Sequence, residues 1–425
     1  MPAVFTGIFI TLMLTVFLLW FDKSGYTAIT EAKLPVFFIL CGAYIVGMAV
    51  LIVVSGDYRK LSAVQWLIVG YLLVSILSAV CSPHSDKAWI GATRYEGAIT
   101  IAVYCLVFLL VSQYGKAEKW MLLPLGIATG AMCILCIVQL YGGNPFGLYP
   151  EGMNYFGAGR LYSGKYLGTI GNADLLAAFF CVAIPLMWVS FLRLDGKTRY
   201  ALLLPLLLSL FVLFKMDVTA GILGVFGGGV LSLPVVFPSG KSKRKVLAWL
   251  LLALIIFSLA FLFLADIGNG TLHELHEMMH GNVSDKFGTS RVYIWKNVLR
   301  LVPDRLFLGA GPDTMSFADI EPFTRYDAGL NKTFVARIDT AHNEYLNVLY
   351  HQGIFALALY LAALITAAVK WIENSEKNTA CAILGAAVLC YCMQAFFGIS
   401  MFLSSPYFWI CFGLLESSYN KKSEA

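Results

Sequence analysis

Charged residues are scarce in this sequence, and their scarcity excludes most soluble folds. Aspartate, glutamate, lysine and arginine make up 13% of the 425 residues, whereas hydrophobic residues make up 59% and the mean hydropathy is +0.76. A soluble protein of this length cannot hide that much apolar surface in its core. The composition therefore predicts a polytopic membrane protein.

Three further features are missing. No stretch combines clustered basic residues with interleaved aromatic ones, so the formal charge of +5 predicts no nucleic-acid partner. The ten cysteines lie mostly inside apolar runs, and even Cys133 and Cys136, spaced as C-x-x-C, fall on a predicted buried helix. Neither a disulfide framework nor a redox motif is therefore expected. Residues 1–6 carry no basic group, so we expect the first apolar run to be retained as a span, not removed as a signal peptide.

Apolar runs long enough to cross a bilayer as helices, roughly 17 to 25 residues each, occur about twelve times. The sequence thus predicts an all-α polytopic membrane protein with about twelve transmembrane helices. The seventh and eighth runs are separated only by Lys215-Met216-Asp217. The predicted spans lie near residues 4–20, 34–54, 61–80, 97–113, 119–140, 171–192, 200–214, 218–237, 246–265, 345–369, 379–398 and 402–418.

Lysine and arginine predict the orientation, because they resist translocation when they lie in short loops. With the N-terminus in the cytoplasm, fifteen of the 30 fall in cytoplasmic segments and seven in short outer loops, one of them Lys33. The remaining eight lie in the long polar stretch between spans nine and ten, which this rule does not constrain. We therefore predict a transmembrane bundle over residues 1–266, one large extracytoplasmic loop over 267–344, and three further spans over 345–425.

Three outer segments contain the residues most suggestive of chemistry. The first places Arg94 and Glu96 at the lip of the fourth span, where an interfacial anchor is the simpler explanation. The second is a glycine-rich loop containing Arg160, which could fold back towards the bilayer. The third is the long loop, where Arg291 and Trp295 would share one helix face and His342 precedes the tenth span. A histidine at a helix start is more often solvated or capping than catalytic, but the arginines on the same side favour chemistry.

At these residues the sequence resembles the O-antigen ligase and polymerase superfamily of bacterial envelope glycosyltransferases. The resemblance covers most of residues 60–418, and the order of its short motifs around one large outer loop makes it specific. The matching motifs are Arg94-Tyr95-Glu96-Gly97, Gly168-Thr169-Ile170-Gly171-Asn172, Ser290-Arg291 with Trp295, Leu308-Gly309-Ala310-Gly311-Pro312, His342-Asn343-Glu344-Tyr345 with Gly353, and Gln394, Phe397 and Ser400 before the last span.

The resemblance implies a GT-C-like transferase in the bacterial cytoplasmic membrane. Such an enzyme moves a glycan from an undecaprenyl-diphosphate carrier to a hydroxyl of a sugar, lipid or protein acceptor outside the cell, as a ligase or a polymerase. His342 would be the catalytic base and Arg291 would bind the carrier diphosphate, which agrees with the chemistry of imidazole and guanidinium groups. Neither a cofactor nor a metal is implied. The further candidates are Arg94, Arg160 and Lys215 for the diphosphate, and Glu96, Asn343, Glu344 and Trp295 in supporting positions.

One departure from the family pattern concerns the start of the eighth span. Many members carry an arginine there in a Ser-Arg-Ala/Gly motif, whereas this sequence has Thr219 at the matching position. Lys215, Arg160 or Arg94 would have to supply the missing charge, unless this branch handles its carrier differently. His351 also stands where a glutamate is expected, so we predict a structural role for it.

The sequence also contains features of two other functions. His276-Glu277-Met278-Met279-His280 satisfies the H-E-x-x-H pattern of zinc proteases, in which the histidines bind zinc and the glutamate activates water. No third ligand follows at the usual distance, so an incidental metal-binding helix or a solvated helix explains it better. The second alternative is a flippase or other transporter of lipid-linked glycans, but transporters place charges or interrupted helices at mid-membrane, and here the polar residues crowd one face.

Overall fold

The computed structural model describes residues 1–161, 164–237, 240–265, 268, 270–327 and 332–419. Within these ranges the chain is mostly helical, and a helix lies at each of the predicted spans. Eight of the described helices are long and apolar enough to cross a membrane, and three shorter apolar helices accompany them. The chain is therefore an integral membrane protein of the all-α polytopic class, while the total of about twelve spans stays a prediction.

The helices and strands are numbered in chain order. They are α1 (Pro2–Leu12), α2 (Ile29–Ser55), α3 (Ala63–Cys81), α4 (Ser85–Ala88), α5 (Ala98–Tyr114), α6 (Leu122–Leu140), α7 (Tyr155–Leu161), β1 (Tyr166–Leu167), β2 (Gly171–Asn172), α8 (Ala173–Arg193), α9 (Leu203–Met216), α10 (Thr219–Ile222), α11 (Gly228–Val236), α12 (Lys241–Leu264), α13 (Gly270–Met279), α14 (Phe287–Leu301), β3 (Phe323–Asp327), β4 (Lys332–Ala336), α15 (Glu344–Asn374), α16 (Thr379–Ala395) and α17 (Ser405–Tyr419).

Burial separates a central helix from a peripheral one. In α8 most side chains are buried, and the helix packs against α9, α16 and α17. By contrast, almost every described side chain of α12 is exposed, although this helix is the most apolar of the long ones. Apolar side chains that lack protein neighbours are stable when they contact the hydrocarbon chains of lipids. We therefore place α8 in the core of the bundle and α12 at its rim.

Local sequence explains where several spans begin. Ser62 and Gln65 form a reciprocal capping box at α3, and Asn172 and Asn378 cap α8 and α16 through their side-chain oxygens. Between the seventh and eighth predicted spans, Asp217 adopts a left-handed conformation (φ 53°), so the chain turns tightly between α9 and α10. The short connection that the sequence offers is thus sufficient to separate two helices.

Three details differ from the sequence-based expectation. Lys33, assigned to an outer loop, lies inside α2 with 1% of its surface exposed, and its ammonium group donates to the carbonyl of Leu18 at 3.0 Å. It therefore caps the end of the first span. Two small antiparallel hairpins, β1–β2 and β3–β4, interrupt the otherwise helical fold. The tenth span was predicted as continuous, but α15 is broken at Gly353.

The break in α15 is filled by the segment 306–311. Gly353 has φ 83°, and backbone N–H groups of Ala310 and Gly311 donate to carbonyls at the end of the first half-helix at 2.9 and 2.8 Å. The N–H of Ile354 donates to Leu306 at 2.7 Å. A Cβ atom on Gly353 would lie 2.2 Å from the carbonyl oxygen of Phe307, so only glycine fits. The Leu-Gly-Ala-Gly-Pro motif and Gly353 are therefore two halves of one junction.

Candidate functional site

Arg94 and Asp339 form the ion pair at the centre of the candidate site. The guanidinium group donates two hydrogen bonds to the carboxylate, from Nε at 3.1 Å and from Nη2 at 2.9 Å, and both side chains are partly exposed. Such two-pronged pairs fix direction as well as distance. The pair joins the loop before α5 to the segment before α15, and so places Arg94 near His342.

Asp313, at the end of the Leu-Gly-Ala-Gly-Pro-Asp segment, holds the loop that carries Arg94. Its carboxylate accepts the backbone N–H of Arg94 at 2.8 Å, and both the N–H and the hydroxyl of Thr93. Gly91 permits this approach, because a Cβ there would lie 2.4 Å from the carboxylate. Burial raises the pKa of Asp313, and these hydrogen bonds oppose the shift. The sequence analysis assigned no role to Asp313 or Asp339, although both adjoin motifs that it singled out.

His342 lies two residues before α15, in a left-handed conformation (φ 49°). The chain on both sides of it is fixed: the Asn343 side chain caps the helix by accepting the N–H of Leu346 at 3.0 Å, and the Asn347 side chain accepts the N–H of Ala341 at 2.8 Å. Burial and the positive charges of Arg94 and Arg291 lower the pKa of His342 to about 3, against the attraction of Asp339. The imidazole is therefore neutral at physiological pH, the form that accepts a proton.

Arg291 reaches the same place from α14. The indole N–H of Trp295 donates to the carbonyl of Ala341 at 2.8 Å, which ties α14 to the residue next to His342. Arg291 is one turn earlier on the same face, and its charge acts on His342. Burial lowers the pKa of Arg291, and the charge of Asp174 opposes the shift. The structure thus brings Arg94, Arg291 and His342 together from three segments.

The two predicted supporting carboxyls, Glu96 and Glu344, line a small cavity of about 60 Å³. Glu96 accepts a hydrogen bond from the Tyr104 hydroxyl at 2.7 Å, and burial raises the pKa of Glu96 to about 8. Glu344 accepts from Tyr360 at 2.7 Å and from Tyr391 at 3.1 Å. The Arg94–Asp339 pair also lines this cavity. Through these hydrogen bonds, Glu96 holds the loop before α5 and Glu344 holds the start of α15.

The other diphosphate candidates are placed differently. The Arg160 side chain lies outside the described part of the chain, and Lys215 is exposed at the end of α9. Lys165 was not predicted, yet its ammonium group donates to the carbonyl of Met216 at 3.0 Å, three residues before Thr219. It therefore brings a cation close to the position where this sequence lacks the family arginine. Its place in the glycine-rich loop was the sequence feature that could have identified it.

The H-E-x-x-H segment lies on α13, continuing to His280. The Nδ1 atom of His276 lies 2.8 Å from the carbonyl oxygen of Leu262, and that of His280 lies 2.9 Å from the carbonyl oxygen of His276. Glu277 accepts a hydrogen bond from Asn282 at 2.9 Å. Among the residues that the structure describes, no three histidine, cysteine or acidic side chains are arranged to hold a metal ion.

Comparison with known proteins gives two matches. Residues 204–361, which include Arg291 and His342, match the family described as O-antigen ligase. The teichuronic acid biosynthesis protein TuaE of Bacillus subtilis (strain 168) is 24% identical over 331 residues, which cover 74% of this chain and 61% of that protein. The chain thus spans less than two thirds of the length of this relative.

Proposed function

We propose, from the premise that this chain is a member of the O-antigen ligase superfamily, that it transfers a glycan from undecaprenyl diphosphate to an acceptor hydroxyl. The acceptor belongs to a sugar, a lipid or a protein, so the enzyme is a ligase or a polysaccharide polymerase. We place it in the bacterial cytoplasmic membrane with its active site on the outer face. The observation that carries the proposal is the grouping of Arg94 and Arg291 around a neutral His342.

His342 serves as the base in this proposal. The acceptor oxygen attacks the anomeric carbon, its proton passes to the imidazole, and the bond between that carbon and the diphosphate oxygen breaks. The leaving diphosphate keeps the electron pair of this bond. A pKa of about 3 makes the free imidazole a weak base. An anion that offsets the charges of Arg94 and Arg291 raises that pKa, so binding of the donor itself strengthens the base.

The arginines stabilise the leaving group. Guanidinium forks offer paired hydrogen bonds to phosphate oxygens, and these bonds strengthen as negative charge develops on the diphosphate. Arg94 is oriented in advance by Asp339, and Arg291 by a hydrogen bond from Nη1 to the carbonyl of Gly288 at 2.9 Å. Lys165 adds a third cation near the same loops. The scheme needs no metal ion and no cofactor, because these cations supply the charge.

The broken helix bears on the transporter alternative. Interrupted helices line the substrate path of many transporters, and α15 is interrupted at Gly353. Here, however, the interruption is closed by backbone hydrogen bonds to the segment 306–311, which occupies the space beside it. The observation favours a fixed junction that positions the site, and therefore the transferase.

The proposal is tested by deleting the gene and identifying the surface glycan that is lost and its lipid-linked precursor. We expect the precursor to accumulate on undecaprenyl diphosphate, as finished chains for a ligase or as single repeat units for a polymerase. Complementation by the wild type and by His280→Ala should restore the glycan, whereas His342→Ala should not. A deletion strain with all its surface glycans intact contradicts the proposal.

A further inference from the structure

Arg94 and Asp339 also line a cleft of about 200 Å³, distinct from the cavity that Glu96 and Glu344 line. It lies between the start of α2, the β1–β2 hairpin, the start of α8 and the segment before α17. Its floor is apolar but almost fully buried, so most of its accessible lining is the polar, partly exposed rim. The floor consists of Ile29, Leu175, Met401 and Leu403, and the rim of Thr30, Thr93, Arg94, Tyr166, Asn172 and Asp339.

These groups discriminate between ligands. A polyprenyl chain gains nothing from a rim of hydroxyl, amide and carboxylate groups. A pyranose ring carries several hydroxyls, which both donate and accept hydrogen bonds. Convergent polar groups of this kind fix the orientation of a small ligand in its site.

The wall of the cleft is shaped by the β1–β2 hairpin. Tyr166 pairs with Asn172 across this hairpin, so both side chains flank one place on the rim. Gly171, with φ 91°, lets the hairpin lie against Ile29, since a Cβ atom there would come within 3.0 Å of that side chain. The Gly-Thr-Ile-Gly-Asn motif therefore builds one side of the cleft.

We propose that this cleft is a subsite for one pyranose ring of the transferred or the receiving glycan. The inference rests on the proposed function, because Arg94 connects the cleft to the group around His342. A diphosphate held by Arg94 leaves its attached sugar beside the rim, and the terminal sugar of an acceptor would reach the same place. Asn172 and Asp339 hold the ring hydroxyls.

Two conservative variants test the subsite. Asn172→Asp keeps an oxygen that caps α8, where Asn172 accepts the N–H of Asp174 at 2.8 Å, but it replaces the amide donor. Thr30→Val keeps the shape of the side chain and removes its hydroxyl. A matched control on another helix is Thr366→Val, which removes a hydroxyl that donates to the carbonyl of Ala362. The probes are bare undecaprenyl diphosphate and the lipid-linked glycan purified from the deletion strain.

We expect each cleft variant to bind the sugar that occupies the cleft about 3- to 10-fold more weakly. If the donor sugar occupies the cleft, the lipid-linked glycan binds more weakly while bare undecaprenyl diphosphate binds as in the wild type. If the acceptor sugar occupies it, the KM for the acceptor rises and both lipids bind normally. The subsite alone is overturned if both cleft variants keep the wild-type affinities for the two lipids and the wild-type KM for the acceptor. The proposed function is overturned if the wild-type protein binds neither lipid and transfers no glycan.

Discussion

Arg94 and Asp339 are 245 residues apart in the chain and form one two-pronged ion pair that lines two cavities. One cavity also contains Glu96 and Glu344, and the other is the cleft lined by Asn172 and Tyr166. The pair therefore ties together the walls of both cavities.

The first prediction concerns His342. We expect His342→Ala to reduce transfer by at least about 100-fold, because a positioned base contributes that much to proton transfer. Insertion and thermal stability should stay close to wild type, as should the activity of His280→Ala. Transfer is measured with purified protein and the lipid-linked glycan from the deletion strain. Near-normal activity of a well-folded His342→Ala protein would refute the assignment.

The pH dependence gives an independent check of the same residue. Since the pKa of His342 is lowered to about 3 in the free protein, its imidazole stays neutral far below the usual value of 6.5. We expect kcat/KM to show no acid limb from this group between about pH 7 and pH 5, because kcat/KM reports the free enzyme. An acid limb near pH 6.5 that disappears in His342→Gln would show that neither burial nor the charges of Arg94 and Arg291 lower the pKa of this histidine.

A second prediction concerns Glu96. Burial raises its pKa to about 8 from its usual 4.5, so the folded protein holds the proton more tightly than the unfolded chain. The stability from this group is fully present below the usual value and is lost as pH rises through about 8. We expect the unfolding temperature of the wild type to fall between about pH 5 and pH 8, the interval between the two pKa values, and that of Glu96→Gln to fall less. Glu151→Gln, on an exposed turn, should follow the wild type.

A third prediction concerns the junction in α15. Gly353→Ala forces a side chain into a left-handed backbone and against the carbonyl of Phe307, so we expect a loss of more than about 2 kcal/mol. The readouts are the unfolding temperature in detergent and the folded fraction by size-exclusion chromatography. Gly229→Ala is the control, because no atom lies within 4 Å of a Cβ atom there. Equal stability of the two variants would argue against the break.

A fourth prediction concerns metal. The histidines on and after α13 contact backbone carbonyls through Nδ1, and Glu277 is hydrogen-bonded to Asn282. We expect a chelator to leave transfer unchanged, and His276→Ala to keep wild-type activity. The assay is run before and after dialysis against EDTA. Loss of activity that added zinc restores would assign a functional metal to this segment.

The helices could be predicted from the sequence because a run of about twenty apolar residues satisfies its own backbone only as a helix in lipid. The break at Gly353 could not, since the apolar run continues through it and the groups that fill the gap come from a distant segment. The meeting of Arg94, Arg291 and His342 was anticipated from sidedness and resemblance. Asp313 and Asp339 were not, because a single acidic residue in a polar loop has no local pattern that reveals its partner.

The junction at Gly353 has a consequence for how the protein can be divided. Ala310 and Gly311 find their hydrogen-bond acceptors on a membrane helix, and the Ser82 hydroxyl donates to the carbonyl of Ala310 at 2.6 Å. Excision of residues 267–344 would leave these polar groups without partners, and the remaining bundle would be left with a gapped helix. We therefore expect the polar loop and the membrane helices to unfold as a single cooperative unit. A truncated fragment of either would not retain its fold.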